Sequence, residues 1–209
     1  MGAIIRLCQK KIRAFIQEHG CATPTDLLQL AAIKLDTLFI EIDSDKTLLR
    51  VRDEYSGRGE VSFADLEHQL GPDVYAITFG LQRGGKGDRK FVSLIDCRGA
   101  KRFRSYFSKW HELAHLLTLT PQMRLRFCRT HVLPEHKDPE EGLMDVIAGK
   151  FAFFPELIAK YAIGPISFRR IEELRVRLAP EASKQSAVIG LVRAWPRPCV
   201  CHRTSKCGH

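Results

Sequence analysis

The chain has 209 residues and carries 33 Lys and Arg against 24 Asp and Glu, a formal charge of +9. At 44% hydrophobic and 27% charged it has ordinary globular composition, which excludes wholesale disorder. Its apolar stretches are too short and too soon broken by charge for a membrane span or a secretory leader, so a cytoplasmic protein with no membrane contact is expected. Seven cysteines then imply reduced thiols, with Cys8, Cys21, Cys97 and Cys128 isolated and expected as small buried hydrophobes. The length suits one domain with an appendage. Residues 1–155 form the expected main domain and 156–195 a helical region packed on it. Residues 196–209 read as a flexible basic tail containing Cys and His.

In chain order, Ile4, Ile5, Cys8, Ile12, Phe15 and Ile16 recur at helical spacing and predict a helix over 4–19, ended by Gly20. A second helix is predicted from an N-cap at Thr25 to about Ala32. Leu38–Ile42 and Thr47–Val51 read as strands around a turn at 43–46, followed by a polar loop over 53–60 and a short helix over 62–70. Val74–Phe79 and Phe91–Ile95 read as further strands. Gly84-Gly85-Lys86-Gly87-Asp88 lies between them and lacks the spacing of a phosphate loop, so a hairpin connection is predicted. From residue 100 the pattern is helical. Phe103, Tyr106, Phe107, Trp110, Ala114 and Leu117 form one stripe. Further helices are predicted over 139–154, 167–178 and 181–194. Strands first and helices later define an α+β class with a small, antiparallel-type sheet.

Inside the helix at 103–118 lies His111-Glu112-Leu113-Ala114-His115, the pattern H-E-x-x-H. Histidines four apart share a helix face, and their imidazoles can converge on one Zn²⁺. Glu112 is too close to the first histidine to ligate comfortably, but is placed to take a proton from a water held there. The plain alternative is two histidines and an acid on a surface helix face. The apolar neighbours Trp110, Leu113 and Ala114 weigh against it. A third ligand is required, and the extended pattern that ends in a third His fails, because Thr118 and Pro121 occupy its Gly and His positions. Glu141 on the next helix is the better source. Asp145, one turn on, is placed to accept the second ring N–H of a ligand His. Glu140, His131, Glu135 and His136 are the competing ligands, and an exposed or capping acid is the bland reading of Asp145.

The run Ser108-Lys109-Trp110-His111-Glu112-Leu113-Ala114-His115-Leu116-Leu117, followed by Glu141-Gly142-Leu143-Met144-Asp145-Val146-Ile147-Ala148 and Phe153-Phe154-Pro155, resembles the ImmA/IrrE family of metallo-endopeptidases. The resemblance spans about residues 20–195 and is strongest over 105–118 and 140–155. It implies a minimal zincin-like domain, His111, His115 and Glu141 as zinc ligands, and Glu112 as general base. It also implies a protein substrate, a helix-turn-helix repressor cut at one or a few bonds. In zincin-like folds an edge strand holds the substrate extended; Phe91–Ile95 is the expected strand. His131 and Tyr161 are unsupported candidates for stabilising an oxyanion.

Two features stand outside that resemblance. The tail places Cys199, Cys201, Cys207, His202 and His209 within eleven residues, but its ligand spacing is tighter than usual for zinc and it has little apolar sequence to fold around a metal. Basic groups at Arg98-Lys101-Arg102-Arg104, Arg124-Arg126-Arg129 and Arg169-Arg170-Arg175-Arg177 read first as solvated faces, with a nucleic-acid or acidic-protein contact as the alternative. No motif supports direct nucleic-acid binding. The competing functional readings are a non-catalytic docking module for a DNA-binding partner, with 167–194 passing for a helix-turn-helix, and a different zinc hydrolase.

Overall fold

The computed structural model describes residues 2–83, 85, 87–119 and 139–196. His131, Glu135, His136, Cys128, Arg124, Arg126, Arg129 and the tail from 197 onward therefore lie outside the described residues.

Helix α1 (Gly2–His19) buries Cys8 and Ile12 and stops at Gly20, whose positive φ of 70° suits a residue without Cβ. Helix α2 (Pro24–Lys34) starts two residues earlier than the sequence suggests. Thr23 is the N-cap, because its hydroxyl and the Asp26 carboxylate form a reciprocal capping box, while Thr25 bonds the Leu178 carbonyl instead. Strand β1 (Thr37–Ile42) follows. The expected second strand at 47–51 is wrong: Asp45–Gly57 is helix α3, capped by Ser44. Leu48, Val51 and Tyr55 form its buried stripe, and that period outweighs the β-branched residues that read as strand. The helix also takes up most of the predicted loop at 53–60. A 3-10 turn (Val61–Phe63) and helix α4 (Leu66–Gln69) lead to strands β2 (Ala76–Gly80) and β3 (Phe91–Asp96), which form the expected hairpin. A 3-10 turn (Gly99–Arg104) then enters α5 (Ser105–Thr118), so Phe103 sits before the helix and is 58% exposed, off the buried stripe. Helices α6 (Pro139–Phe151), α7 (Pro155–Ile158), α8 (Phe168–Leu178) and α9 (Lys184–Ala194) complete the described chain.

The class is α+β, but the sheet is mixed. Its order is β1-β3-β2, with β1 parallel and β2 antiparallel to β3. The parallel pair arises because α3 and α4 intervene between β1 and the hairpin, the crossover that parallel pairing requires. Phe91–Ile95 is thus the central strand and not an edge; β2 is the edge strand on the hairpin side.

Alternation along the strands separates two cores. Ile42, Ile77, Phe79, Val92 and Leu94 pack with Leu48, Val51, Tyr55, Phe63, Leu66 and Leu70 of the α3–α4 layer. The opposite face, with Phe39 and Phe91, meets a larger helical core centred on α5. Helix α5 is buried nearly all round, as expected of a helix enclosed by sheet and helices. Trp110 meets Phe151 of α6, and Tyr106 donates to the Ala152 carbonyl at 2.7 Å. The same cluster continues without a break into Ile171, Leu174, Leu191 and Trp195, so the C-terminal helices share the core of the preceding residues.

Candidate metal centre

Helices α5 and α6 lie side by side and place four predicted residues together. His111 and His115 project from one face of α5, with ring centroids 5.0 Å apart and Nε2 atoms 3.2 Å apart. Glu141 enters from the first turn of α6, its Oε2 2.9 Å from His111 Nε2 and its Oε1 3.4 Å from His115 Nε2. Asp145, one turn further, holds His111 Nδ1 at 3.0 Å. Packing fixes this approach: Met144, Ile147, Ala148 and Phe151 of α6 are buried in the core that holds Trp110 and Leu113.

The donor set fits a zinc ion. The three ligand groups lie within 4.8 Å of one another. Tetrahedral zinc with bonds near 2.0–2.1 Å separates its ligand atoms by about 3.3 Å. The observed 2.9, 3.2 and 3.4 Å bracket that separation, so small side-chain adjustments suffice. Two imidazoles and one carboxylate are also the ligand chemistry of three-ligand zinc sites, and Asp145 stands at hydrogen-bond distance from His111 Nδ1, where an outer carboxylate would orient a ligand histidine.

The electrostatics are those of a compact charged cluster. Burial works against charge on His111, but hydrogen bonds to Asp145 and Glu141 and the nearby Glu112 charge outweigh it and raise its pKa to about 9. Hydrogen bonds from His111 and His115 hold the Glu141 carboxyl far below the usual carboxylate range.

Glu112 is 2% exposed and lies on the sheet side of α5. Its Oε2 accepts a hydrogen bond from Thr78 of β2 at 2.7 Å. With His111, Glu141, Asp145 and Ser108 it lines a cleft of about 160 Å³, which Asp73, Tyr75, Ala76, Arg104 and Phe107 also line. Arg104 stacks over the Tyr75 ring, 4.2 Å from its centroid. Among the described residues β2 has a strand on one side only, and its start borders this cleft. The sequence reading missed Thr78, Ser93, Tyr75 and Arg104. The one available signal was a hydroxyl residue inside each apolar strand, which gains meaning only with the strand register.

The remaining predicted residues fall elsewhere. Tyr161 is not among the residues lining the cleft; it stacks with Arg177. Glu140 is exposed, next to Glu141. Cys8 is buried, but Cys21 and Cys97 are only partly so, which corrects the expectation for those two. Burial, then the Glu41 charge, pushes the Cys97 thiol up to about 11, so it is a poor nucleophile. In the C-terminal helices Arg169 and Arg170 pair with Glu173, and Arg175 with Glu172. No described helix is long and apolar enough to cross a membrane.

Fold and site thus define an α+β protein with a His-His-Glu cluster able to hold a metal ion beside a buried glutamate. The chain matches no family model, no curated protein and no solved structure.

Proposed function

We propose that this protein is a zinc-dependent endopeptidase with a minimal zincin-like domain, akin to the ImmA/IrrE metallo-endopeptidases its motifs resemble. The carrying observation is the convergence of His111, His115 and Glu141 from two helices, with Glu112 on the same cleft. In this reading His111, His115 and Glu141 hold the metal, which supplies Lewis acidity and makes water a nucleophile at neutral pH. Asp145 keeps a proton on His111 Nδ1, leaving Nε2 free to ligate. Glu112 takes the proton of the attacking water and delivers it to the leaving amine. The substrate is an extended peptide laid along the side of β2 that bears no strand among the described residues; this replaces Phe91–Ile95 in that role, since the central strand is paired on both sides.

The substrate of this proposal is a helix-turn-helix repressor. A chain with a charge of +9 is repelled by the basic DNA-binding face of such a protein, so it engages an acidic or apolar segment. The test is to incubate the zinc-loaded protein with candidate helix-turn-helix repressors and to read fragment masses. Cleavage at one or a few bonds, lost with chelator and with Glu112→Gln, supports the proposal. Stable binding without a cut, with zinc present, favours a docking module instead.

A further inference from the structure

The sheet reaches the site through two hydroxyls. Thr78 of β2 and Ser93 of β3 are register partners on the face toward α5, and are 3% and 0% exposed. Their neighbours along that face are Ala76, Phe91 and Ile95, so apolar side chains would be the default there. A buried hydroxyl is costly unless it is bonded. Here the bonds have a direction. A carboxylate only accepts, so Thr78 Oγ1 donates to Glu112 Oε2 at 2.7 Å. Thr78 has a single proton, so the 2.6 Å contact with Ser93 is a donation from Ser93 Oγ to Thr78 Oγ1. Ser93 thereby polarises the Thr78 hydroxyl and strengthens its bond to the acid.

We infer that Thr78, with Ser93 behind it, is a positioning residue for Glu112. It fastens one carboxylate oxygen to the sheet and so sets the direction in which the acid faces the cleft. The inference rests on Glu112 being the base of the proposed reaction. A flexible carboxylate beside a dication has a competing use as a ligand, and beside His111 a competing use as an ion-pair partner. A fixed hydroxyl anchor on the sheet opposes both. Their mutual bond serves the Ser93 proton but leaves the Thr78 proton in need of an acceptor; a backbone carbonyl could serve, and the structure instead supplies the Glu112 carboxylate from another element.

The test uses acetohydroxamate binding to the zinc-loaded full chain, read by titration calorimetry. This bidentate chelator loses its O–H proton to the neighbouring carboxylate as its anion binds the metal, so its affinity reports how well Glu112 is placed. Glu112→Gln is expected to weaken binding. Thr78→Val keeps the shape but removes one hydrogen bond to a charged group, and is expected to weaken binding about tenfold. Thr78→Ser should restore it, with zinc content equal in all variants. Since Thr78 acts through Glu112, Thr78→Val should add no further loss in the Glu112→Gln background. Wild-type affinity in Thr78→Val, or full additivity with Glu112→Gln, would overturn the inference. If Thr78→Val does not fold, Ser93→Ala serves, with a smaller loss that also vanishes in the Glu112→Gln background. Failure of the zinc-loaded wild type to bind acetohydroxamate would instead overturn the metal reading beneath it.

Discussion

Glu112 sits beside the His-His-Glu cluster but belongs to the sheet side of its helix, and that arrangement gives the sharpest predictions at single residues. Glu112→Gln removes the only function glutamine cannot supply, accepting a proton from water. It should keep fold and zinc while lowering cleavage by about 10²–10⁴-fold, measured as repressor turnover. Asp145→Asn tests the other flank. Its carboxylate is half exposed at 50%, so an effect at the low end of the usual 10–100-fold for outer partners of a metal site is expected, in zinc affinity or rate.

His111 also predicts a proton balance. Its pKa in the metal-free protein is about 9, against 6.5 unperturbed. The imidazolium therefore stabilises the metal-free fold fully below about pH 6.5, and that contribution is lost as pH rises through about 9. A ligand histidine must be neutral. Zinc binding at pH 7.5 should thus expel about one proton, visible as a heat that scales with buffer ionisation enthalpy. Zinc uptake with no proton released would show that His111 is not charged in the empty site.

Among the elements, α9 meets the link between α6 and α7 in a contact so close that size is limiting. A Cβ on Gly190 would overlap the Phe153 ring. Gly190→Ala gains helix propensity of about 1 kcal/mol, but overpacking typically costs about 1–3 kcal/mol, so a lower melting temperature is expected. The end of β3 is tied to the segment before β2 through Asp96, which is 1% exposed and binds Arg98 and Lys101. Those cations in turn bond the Leu70, Gly71 and Val74 carbonyls. Burial opposes charge on Asp96, yet the bonds from Arg98 and Lys101 prevail and its pKa lies below 3.8. Its stabilising contribution is complete above about pH 3.8 and is lost as pH falls through the lowered pKa, so on acidification Asp96→Asn should unfold at a higher pH than the wild type, with the stability gap shrinking below pH 3.8.

The elements also show what a one-dimensional reading can reach. His111 and His115 were legible because helical spacing alone puts them on one face. Glu141 and Asp145 were legible because two acids one turn apart on an apolar helix need partners, although only the packing of α6 on α5 brings them there. Thr78 and Ser93 were not, since each is a small polar residue in a strand until the register pairs them over Glu112. Helix α3 was misread because Thr47 and Val51 suggest a strand when the window stops before Tyr55. The central place of Phe91–Ile95 was hidden for a different reason: strand order is decided by the crossover through α3 and α4, not by the strand's own composition.

For the whole molecule, one apolar cluster runs from Cys8 and Leu27 through α5 and α6 to Leu191 and Trp195. Removing the C-terminal helices would strip packing from the helix that carries both histidines. Ending the chain near Pro198 should not: every described core residue lies upstream, and that variant should stay soluble and bind zinc like the full chain. Loss of soluble protein on that truncation would assign the last residues a part in folding.

The most direct measurement of the central claim is the zinc content of the purified chain, by elemental analysis after equilibration with zinc, beside Glu112→Gln and His111→Ala. About one equivalent in the wild type and in Glu112→Gln, with none in His111→Ala, is the predicted result. A wild type that holds no zinc, or a His111→Ala variant that holds as much as the wild type, would contradict a catalytic metal at His111, His115 and Glu141.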